Sequence, residues 1–297
     1  MYMQPEQMDE SKPANVPTLV GCQPVVKWAG GKRWLVPLIA DPINIRLAAT
    51  RGRYIEPFLG GGAVALSLGL PKMILGDCCQ PLVAMYRAIA KNSQGVAWAL
   101  QTLIEQGTDK ETYLRIRATQ YPNPAFAAAR FIYLNKTGFN GLYRENSRGE
   151  YNVPYGKTSN GAKRSYPSIE TISQVAAAIK TSDIAVRDFR DTIAFAKAGD
   201  VVYADPPYYD TFSDYTAEGF GDAEHVALAD ALREAASRGA AILASNVDHE
   251  RIRELYAWAH VLSLTERHVV GAKAERRGAR NAVLIVSDVT LVPDLAK

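Results

Sequence analysis

The chain has 297 residues, 47% of them apolar and 22% charged, an ordinary soluble composition long enough for one large domain or one domain with a substantial insertion. The net charge of +3 is mildly basic, which permits a nucleic-acid partner without requiring one. Three cysteines and four histidines show neither a disulfide framework nor metal-ligand spacing, and no apolar run has the length of a membrane span or secretory core, so no metal and no membrane are expected and the expected compartment is the cytoplasm.

Residues 1–18 are polar, proline-containing and aperiodic, the pattern of a flexible tail, and folded structure is expected from about Val25. Residues 53–55 read as a short strand, Pro57-Phe58-Leu59-Gly60-Gly61-Gly62 as a glycine-rich turn and 63–68 as a helix start. A second strand over 72–75 ends at Gly76-Asp77, and Cys78 and Cys79 read as small buried residues at its end. From residue 81 to about 134 the spacing turns helical, with Leu82, Val83, Tyr86 and Ile89 on one face and Phe126, Ala129, Arg130 and Tyr133 on another. Residues 142–144, a polar turn over 146–149 and residues 151–153, closed by Pro154, predict a β-hairpin, followed by a basic loop.

The α/β rhythm then resumes. A helix is predicted over 169–179 and a strand over 184–186; the apolar strand 201–204 runs straight into Asp205. Asp222 is placed to cap a helix over 223–237, a strand follows over 241–244, and 260–264 and 282–286 are placed to pair as a closing antiparallel hairpin. The pattern is an α/β sheet domain (19–80 and 167–297) interrupted by a mainly helical insertion (81–166). Between Thr112 and Tyr166 nine basic residues face two acidic ones, and Arg267, Lys273, Arg276, Arg277 and Arg280 form a second basic cluster; charge alone does not separate a nucleic-acid surface from two solvated faces.

Two segments carry chemistry. A strand, a glycine turn and a helix start let backbone approach a nucleotide-like cofactor, with Asp77 placed for ribose hydroxyls. The second is Asp205-Pro206-Pro207-Tyr208 at the carboxyl end of an apolar strand, where open α/β sheets bind ligands. An exocyclic amine on a base is a poor nucleophile because its lone pair is delocalised. Two acceptors aimed at its two hydrogens, the Asp205 carboxylate and the Pro206 carbonyl, pull it toward tetrahedral geometry and stabilise the charge that develops during attack. Pro206 and Pro207 fix the backbone, and Tyr208 offers a ring for stacking an extruded base.

Around these segments stand, in order, Lys27-Trp28-Ala29-Gly30-Gly31-Lys32, Glu56-Pro57-Phe58-Leu59-Gly60, Asp77, Tyr133-Leu134-Asn135, Asn140-Gly141-Leu142, Tyr143-Arg144, residues 149–156 (Gly-Glu-Tyr-Asn-Val-Pro-Tyr-Gly), the tetrapeptide, and Ser245-Asn246. In these blocks the sequence resembles the Dam-type (D12 class) DNA adenine-N6 methyltransferases, from about Val25 to Val286. The resemblance implies a Rossmann-like sheet domain with an inserted, mainly helical target-recognition domain bearing a β-hairpin. It implies transfer of a methyl group from S-adenosylmethionine to N6 of a flipped-out adenine in double-stranded DNA at a GATC or GATC-like site, with no metal and no evident obligate protein partner.

It also implies roles. Asp205, Pro206, Pro207 and Tyr208 are the catalytic residues. Trp28, Lys32 (near the cofactor carboxylate), Phe58, Gly60, Asp77 (ribose), Asp188 and Phe189 (adenine ring) and Asp205 bind the cofactor; Asp188 also reads as an exposed loop residue. On the DNA side, Arg144 reads a guanine edge, Phe139, Asn140 and Leu142 fill the gap left by flipping, and Lys27, Lys136, Lys157 and Lys163 contact phosphates; Asn152 and Pro154 read as scaffold. Residues 209–221 read as a lid. One departure is Lys157-Thr158-Ser159-Asn160-Gly161, where GATC-specific members carry an aromatic-plus-basic pair, which opens the far half of the site. Cytosine-C5 chemistry is excluded because no cysteine follows a proline; cytosine-N4 chemistry, which more often uses Ser at position 205, a dehydrogenase and a DNA-binding module without catalysis stand as alternatives.

Overall fold

Five parallel strands and an antiparallel pair form one mixed sheet. The computed structural model describes residues 22–158, 164–209, 219–264 and 282–292. Strands β1 (Tyr54–Glu56), β2 (Ile74–Asp77), β3 (Asp183–Val186), β4 (Val201–Ala204), β5 (Ala241–Val247), β6 (His260–Leu264) and β7 (Ala282–Val286) lie in the order β3-β2-β1-β4-β5-β7-β6. β1 to β5 are mutually parallel, and β7 slots antiparallel between β5 and β6, so the expected closing pair is present. All four residues of β4 are buried, as a central parallel strand covered on both faces requires.

Helices α1 (Val36–Thr50), α2 (Ala65–Leu68), α3 (Gln80–Glu105), α4 (Lys110–Ala118), α5 (Pro124–Thr137) and α6 (Ile169–Ile179) pack in one apolar cluster with Tyr54, Leu75, Tyr203 and Leu243 of the sheet. Helices α7 (Phe189–Ala194), α8 (Asp222–Ser237) and α9 (Glu250–Leu255) cover the other face over Ile55, Val202, Ile242 and Ile285. Local signals start α6 where expected: the Ser168 side chain accepts from the Thr171 N–H, and Ile172, Val175 and Ile179 turn one buried stripe inward. Asp109 and Asn123 cap α4 and α5 in the same way. The helices between β2 and β3 share their apolar cluster with the sheet, and α3 begins at Gln80, so the expected boundary at residue 81 lies in its first turn. No helix among the described residues is long and apolar enough to cross a membrane.

Three expectations are corrected, and one helix is added. α1 was not foreseen; Pro37 and Pro42 mask its buried stripe of Ile39, Ala40, Ile43 and Leu47. α8 is capped by Gly221, whose N–H donates to the Glu224 carboxylate at 2.9 Å, so Asp222 is a first-turn acid instead of the cap. The hairpin is a paired turn without continuous strands: Glu145 bridges Tyr151, and the Asn152 N–H donates to the Arg144 carbonyl at 3.0 Å. Residues 147–150 are exposed and have no apolar face to bury; Tyr143 and Tyr151 do the packing. Cys78 is exposed and Cys79 half-buried, because β2 ends at Asp77 and the chain turns outward before α3.

Candidate active site

Three neighbouring strands bring carboxylates to one edge of the sheet. β2 ends at Asp77, β1 at Glu56, and β4 runs into Asp205. A cavity of about 380 Å³ opens there, lined by Trp28, Lys32, Phe58, Gly60, Asp77 and Asp205 together with Pro206, Pro207 and Tyr208. The tetrapeptide and six of the eight predicted cofactor residues therefore surround one space.

Asp77 is buried and already oriented. Its Oδ2 accepts from the Gly60 N–H at 2.8 Å and its Oδ1 from the Cys79 N–H at 2.9 Å. Burial pushes its carboxyl above the usual range against the pull of those N–H groups. Gly60 has φ +49°, and a Cβ there would lie 2.8 Å from the Trp28 ring, so the turn needs glycine for both conformation and space.

Asp205 is the most heavily engaged group. Lys32 Nζ lies 2.8 Å from its Oδ1 and 2.9 Å from its Oδ2, and the Ser245 hydroxyl donates to Oδ1 at 2.6 Å. Lys32 also donates to the Gly30 carbonyl at 2.5 Å and stands 4.6 Å from the Tyr208 ring centre. Burial raises the Asp205 carboxyl, opposed by Lys32 and Ser245. Burial works against the Lys32 ammonium too, but Asp205 and Tyr208 prevail and hold it above its ordinary value. Beside this pair, Glu56 accepts from the Tyr54 hydroxyl at 2.9 Å and the Ala65 N–H at 3.1 Å, and burial pushes its carboxyl well up.

The remaining cofactor candidates sit outside the cavity lining. Phe189 is buried and stacks on the cavity-lining Phe58, ring centres 5.5 Å apart. Asp188 is half-exposed, caps α7 by accepting from the Arg190 N–H, and pairs with the Arg190 guanidinium at 3.0 Å. Glu56, Tyr203 and Ser245 are site residues to which the sequence reading attached no role. Glu56 and Ser245 stood inside motif blocks, and the usable signal was their place at the carboxyl ends of strands.

The basic candidates divide. Lys27, Phe139, Asn140, Leu142, Arg144 and Lys157 are exposed, and Lys136 is half-buried with its ammonium held below its usual value by burial and by nearby Lys27. Asn140 adopts φ +54°, turning Phe139 outward. The Arg144 Nε donates to Asn152 Oδ1 at 2.8 Å. Arg117, Arg130 and Arg164 instead donate to backbone carbonyls, so part of the insertion's charge is structural. Lys163, the second basic cluster and most of the expected lid lie outside the described residues. Among the described residues no group of three or more His, Cys, Asp or Glu is arranged to hold a metal.

Comparison with known proteins is decisive for family. Residues 28–270 match the model of the D12 class N6 adenine-specific DNA methyltransferases. The chain belongs to that family. A type II methyltransferase of Lactococcus lactis subsp. cremoris is 31% identical over 281 residues, covering 90% of this chain and 96% of the relative. A DNA adenine methylase of Vibrio cholerae is 32% identical over 245 residues, 80% of this chain and 85% of the relative, and a type II methyltransferase of Methanocaldococcus jannaschii is 30% identical over 277 residues, 86% and 95%. The protein is thus an adenine-specific DNA methyltransferase with DNA as substrate, and its family implies S-adenosylmethionine as the methyl donor. The methyltransferase's seven-stranded sheet agrees with that family's fold.

Proposed function

We propose that the methyltransferase binds S-adenosylmethionine across the carboxyl ends of β2, β1 and β4 and methylates N6 of an adenine flipped out of double-stranded DNA at a GATC-like site. The observation that carries this reading is Asp205, held by Lys32 and Ser245 on the wall of a cavity whose other end presents the oriented Asp77 carboxylate. The donor set fits the cofactor. Asp77 accepts from ribose hydroxyls, Trp28 and Phe58 offer aromatic surface with Phe189 behind, Gly60 lets backbone approach, and Lys32 meets the carboxylate of the amino-acid end. Asp188, committed to its helix, contributes from the rim. The bound cofactor supplies an electrophilic methyl group on a positively charged sulfur.

The rest falls to the chain's own residues. Asp205 and the Pro206 carbonyl accept from the two hydrogens of the adenine amine, Pro207 fixes their spacing, and Tyr208 stacks on the base. Lys32 contacts both Asp205 oxygens here, and Oδ2 keeps a second lone pair with which to accept from the amine; a cofactor carboxylate would be a further partner for the Lys32 ammonium. No covalent enzyme intermediate is required. On the DNA side, residues 81–166 act as the target-recognition region. Arg144, steadied by Asn152, reads a guanine beside the target adenine; Phe139, Asn140 and Leu142 occupy the vacated stack; Lys27, Lys136 and Lys157 neutralise phosphates.

The test is to sequence DNA from cells expressing the protein with a method that detects modified bases. The expected result is N6-methyladenine in one short motif with guanine next to the modified base. N4-methylcytosine, or adenine methylation without a motif, would overturn the reading.

A further inference from the structure

Ser245 and Asn246 lie near the carboxyl end of β5, exposed 0% and 1%, and nothing so far gives them a part in the reaction. β5 runs parallel to β4 with Ala244 level with Ala204, which brings Ser245 level with Asp205. The Ser245 hydroxyl donates to Asp205 Oδ1 at 2.6 Å and lies 3.3 Å from the Tyr203 hydroxyl. One residue on, Asn246 Oδ1 accepts from the Tyr209 N–H at 3.0 Å. The tetrapeptide is therefore held from the same neighbouring strand at its first residue and just beyond its last.

We infer that Ser245 is a positioning residue for methyl transfer: its hydroxyl fixes the rotation of the Asp205 carboxylate, so that Oδ1 is taken up by the protein and Oδ2 is the oxygen presented to the amine. The inference rests on the reading of Asp205 as the amine's acceptor. Lys32 cannot do this work. Its ammonium contacts both oxygens, at 2.8 Å and 2.9 Å, and so selects neither. Ser245 is short, buried and carried on a strand, which makes its hydrogen bond rigid. Without it the carboxylate turns about its last side-chain bond, and the acceptor spreads over an arc where a fixed near-attack geometry is needed.

The titratable groups facing Asp205 are Lys32, Tyr208, Tyr203 on its own strand, and Glu56 and Tyr54 on β1. Of Lys32 and Ser245, which both donate to Asp205, Ser245 is the uncharged one, and its bond opposes the burial that raises the Asp205 carboxyl.

The experiment compares Ser245→Ala, Ser245→Thr and Asp205→Ala with wild type in single-turnover methylation across pH. Ser245→Ala is expected to lower kcat about 10-fold to 100-fold, the worth of one hydrogen bond to a charged group, while cofactor and DNA KM stay put. The acidic limb of its kcat profile is expected about one pH unit higher, because Asp205 has lost a bond to its ionised form. Ser245→Thr, which keeps the hydroxyl, is expected to restore both. Wild-type kcat and an unmoved acidic limb in Ser245→Ala would overturn the inference, as would a fall in kcat with cofactor affinity lost in parallel, the mark of a merely structural role. If the threonine does not fold in this fully buried site, the alanine's pH profile decides alone. Should Asp205→Ala retain turnover, the reading of Asp205 fails; should it be inactive while Ser245→Ala is normal, only the role of Ser245 fails.

Discussion

Removing the Asp205 carboxylate separates what it does for the fold from what it does for the reaction. In Asp205→Ala the Lys32 ammonium, its side chain 6% exposed, loses a carboxylate at 2.8 Å. Stranding one half of a buried ion pair costs about 3–5 kcal/mol. Lys32 keeps the Gly30 carbonyl and the face of Tyr208 and borders a cavity open to water, so the low end, about 3 kcal/mol, is expected. For a chain of this size that is a fall in Tm of roughly 5 °C. The catalytic loss is of the same order in energy. A preorganised group facing developing charge is worth about 100-fold to 1000-fold in kcat, and Asp205 is the charged one of two acceptors. The double variant Asp205→Ala/Lys32→Met removes the stranded charge and should recover most of the Tm while staying inactive. Tritium transfer from labelled cofactor to unmodified DNA, read beside thermal melting and DNA affinity, distinguishes the two effects. Turnover above about a hundredth of wild type in Asp205→Ala, or recovery of turnover in the double variant, would refute the electrostatic role.

Three further outcomes are expected. Glu56 has a folded pKa raised by burial, so wild-type stability declines as pH rises from the unfolded-chain value of about 4.3 through the raised one; Glu56→Gln keeps an acceptor for Tyr54 and Ala65 without ionising, and should melt progressively higher than wild type as pH rises above about 5, with no such gain near pH 4. A gap independent of pH would show that ionisation is not the cause. Arg144→Ala should lower selectivity at one base pair about 10-fold to 100-fold in competition between DNAs differing there, whereas an equal loss on all DNA would make it a phosphate contact. Lys136→Ala should weaken binding alike on all sequences and reduce the slope of log affinity against log salt by about one; an unchanged slope would remove it from the interface.

What was legible in the sequence tracks how local its cause is. α6 was read at its observed ends because cap and buried stripe lie in the same dozen residues, and β4 because a fully buried parallel strand is apolar without interruption. α1 was missed because its prolines argue locally against a helix that tertiary packing tolerates. The ends of β1 and β5 were placed short, since Glu56, Ser245 and Asn246 are polar and read as turn. They remain in the strands because backbone, tyrosine and carboxylate partners satisfy them there. Arg117, Arg130 and Arg164 counted as surface charge because only the folded chain shows the carbonyls they meet. The tetrapeptide's place at the end of β4 was readable because the strand runs straight into it; the orientation of Asp205 was not, because Lys32 and Ser245 come from 173 and 40 residues away.

One buried amide explains why the cavity and the surface carrying Phe139 and Arg144 cannot be treated as separate parts. Asn135 Oδ1 accepts from the Lys27 N–H at 2.7 Å, while its Nδ2 donates to the carbonyls of Lys27 and Gly141, both at 2.8 Å. Next to Lys27, Trp28 lines the cavity and stacks at 6.4 Å on Phe131 and at 6.0 Å on Tyr143, which precedes Arg144. The segment that delivers Lys32 therefore cannot shift without disturbing the turn that carries Phe139 and the start of the paired turn that carries Arg144. A buried polar group with its bonds satisfied is rigid, and losing one partner strands the others. Substitutions at the exposed Arg144 or Lys157 thus leave the cavity wall as it is. Substitutions at Asn135 or Tyr143 must reach both the cavity wall and the surface, because those side chains are where the two are joined.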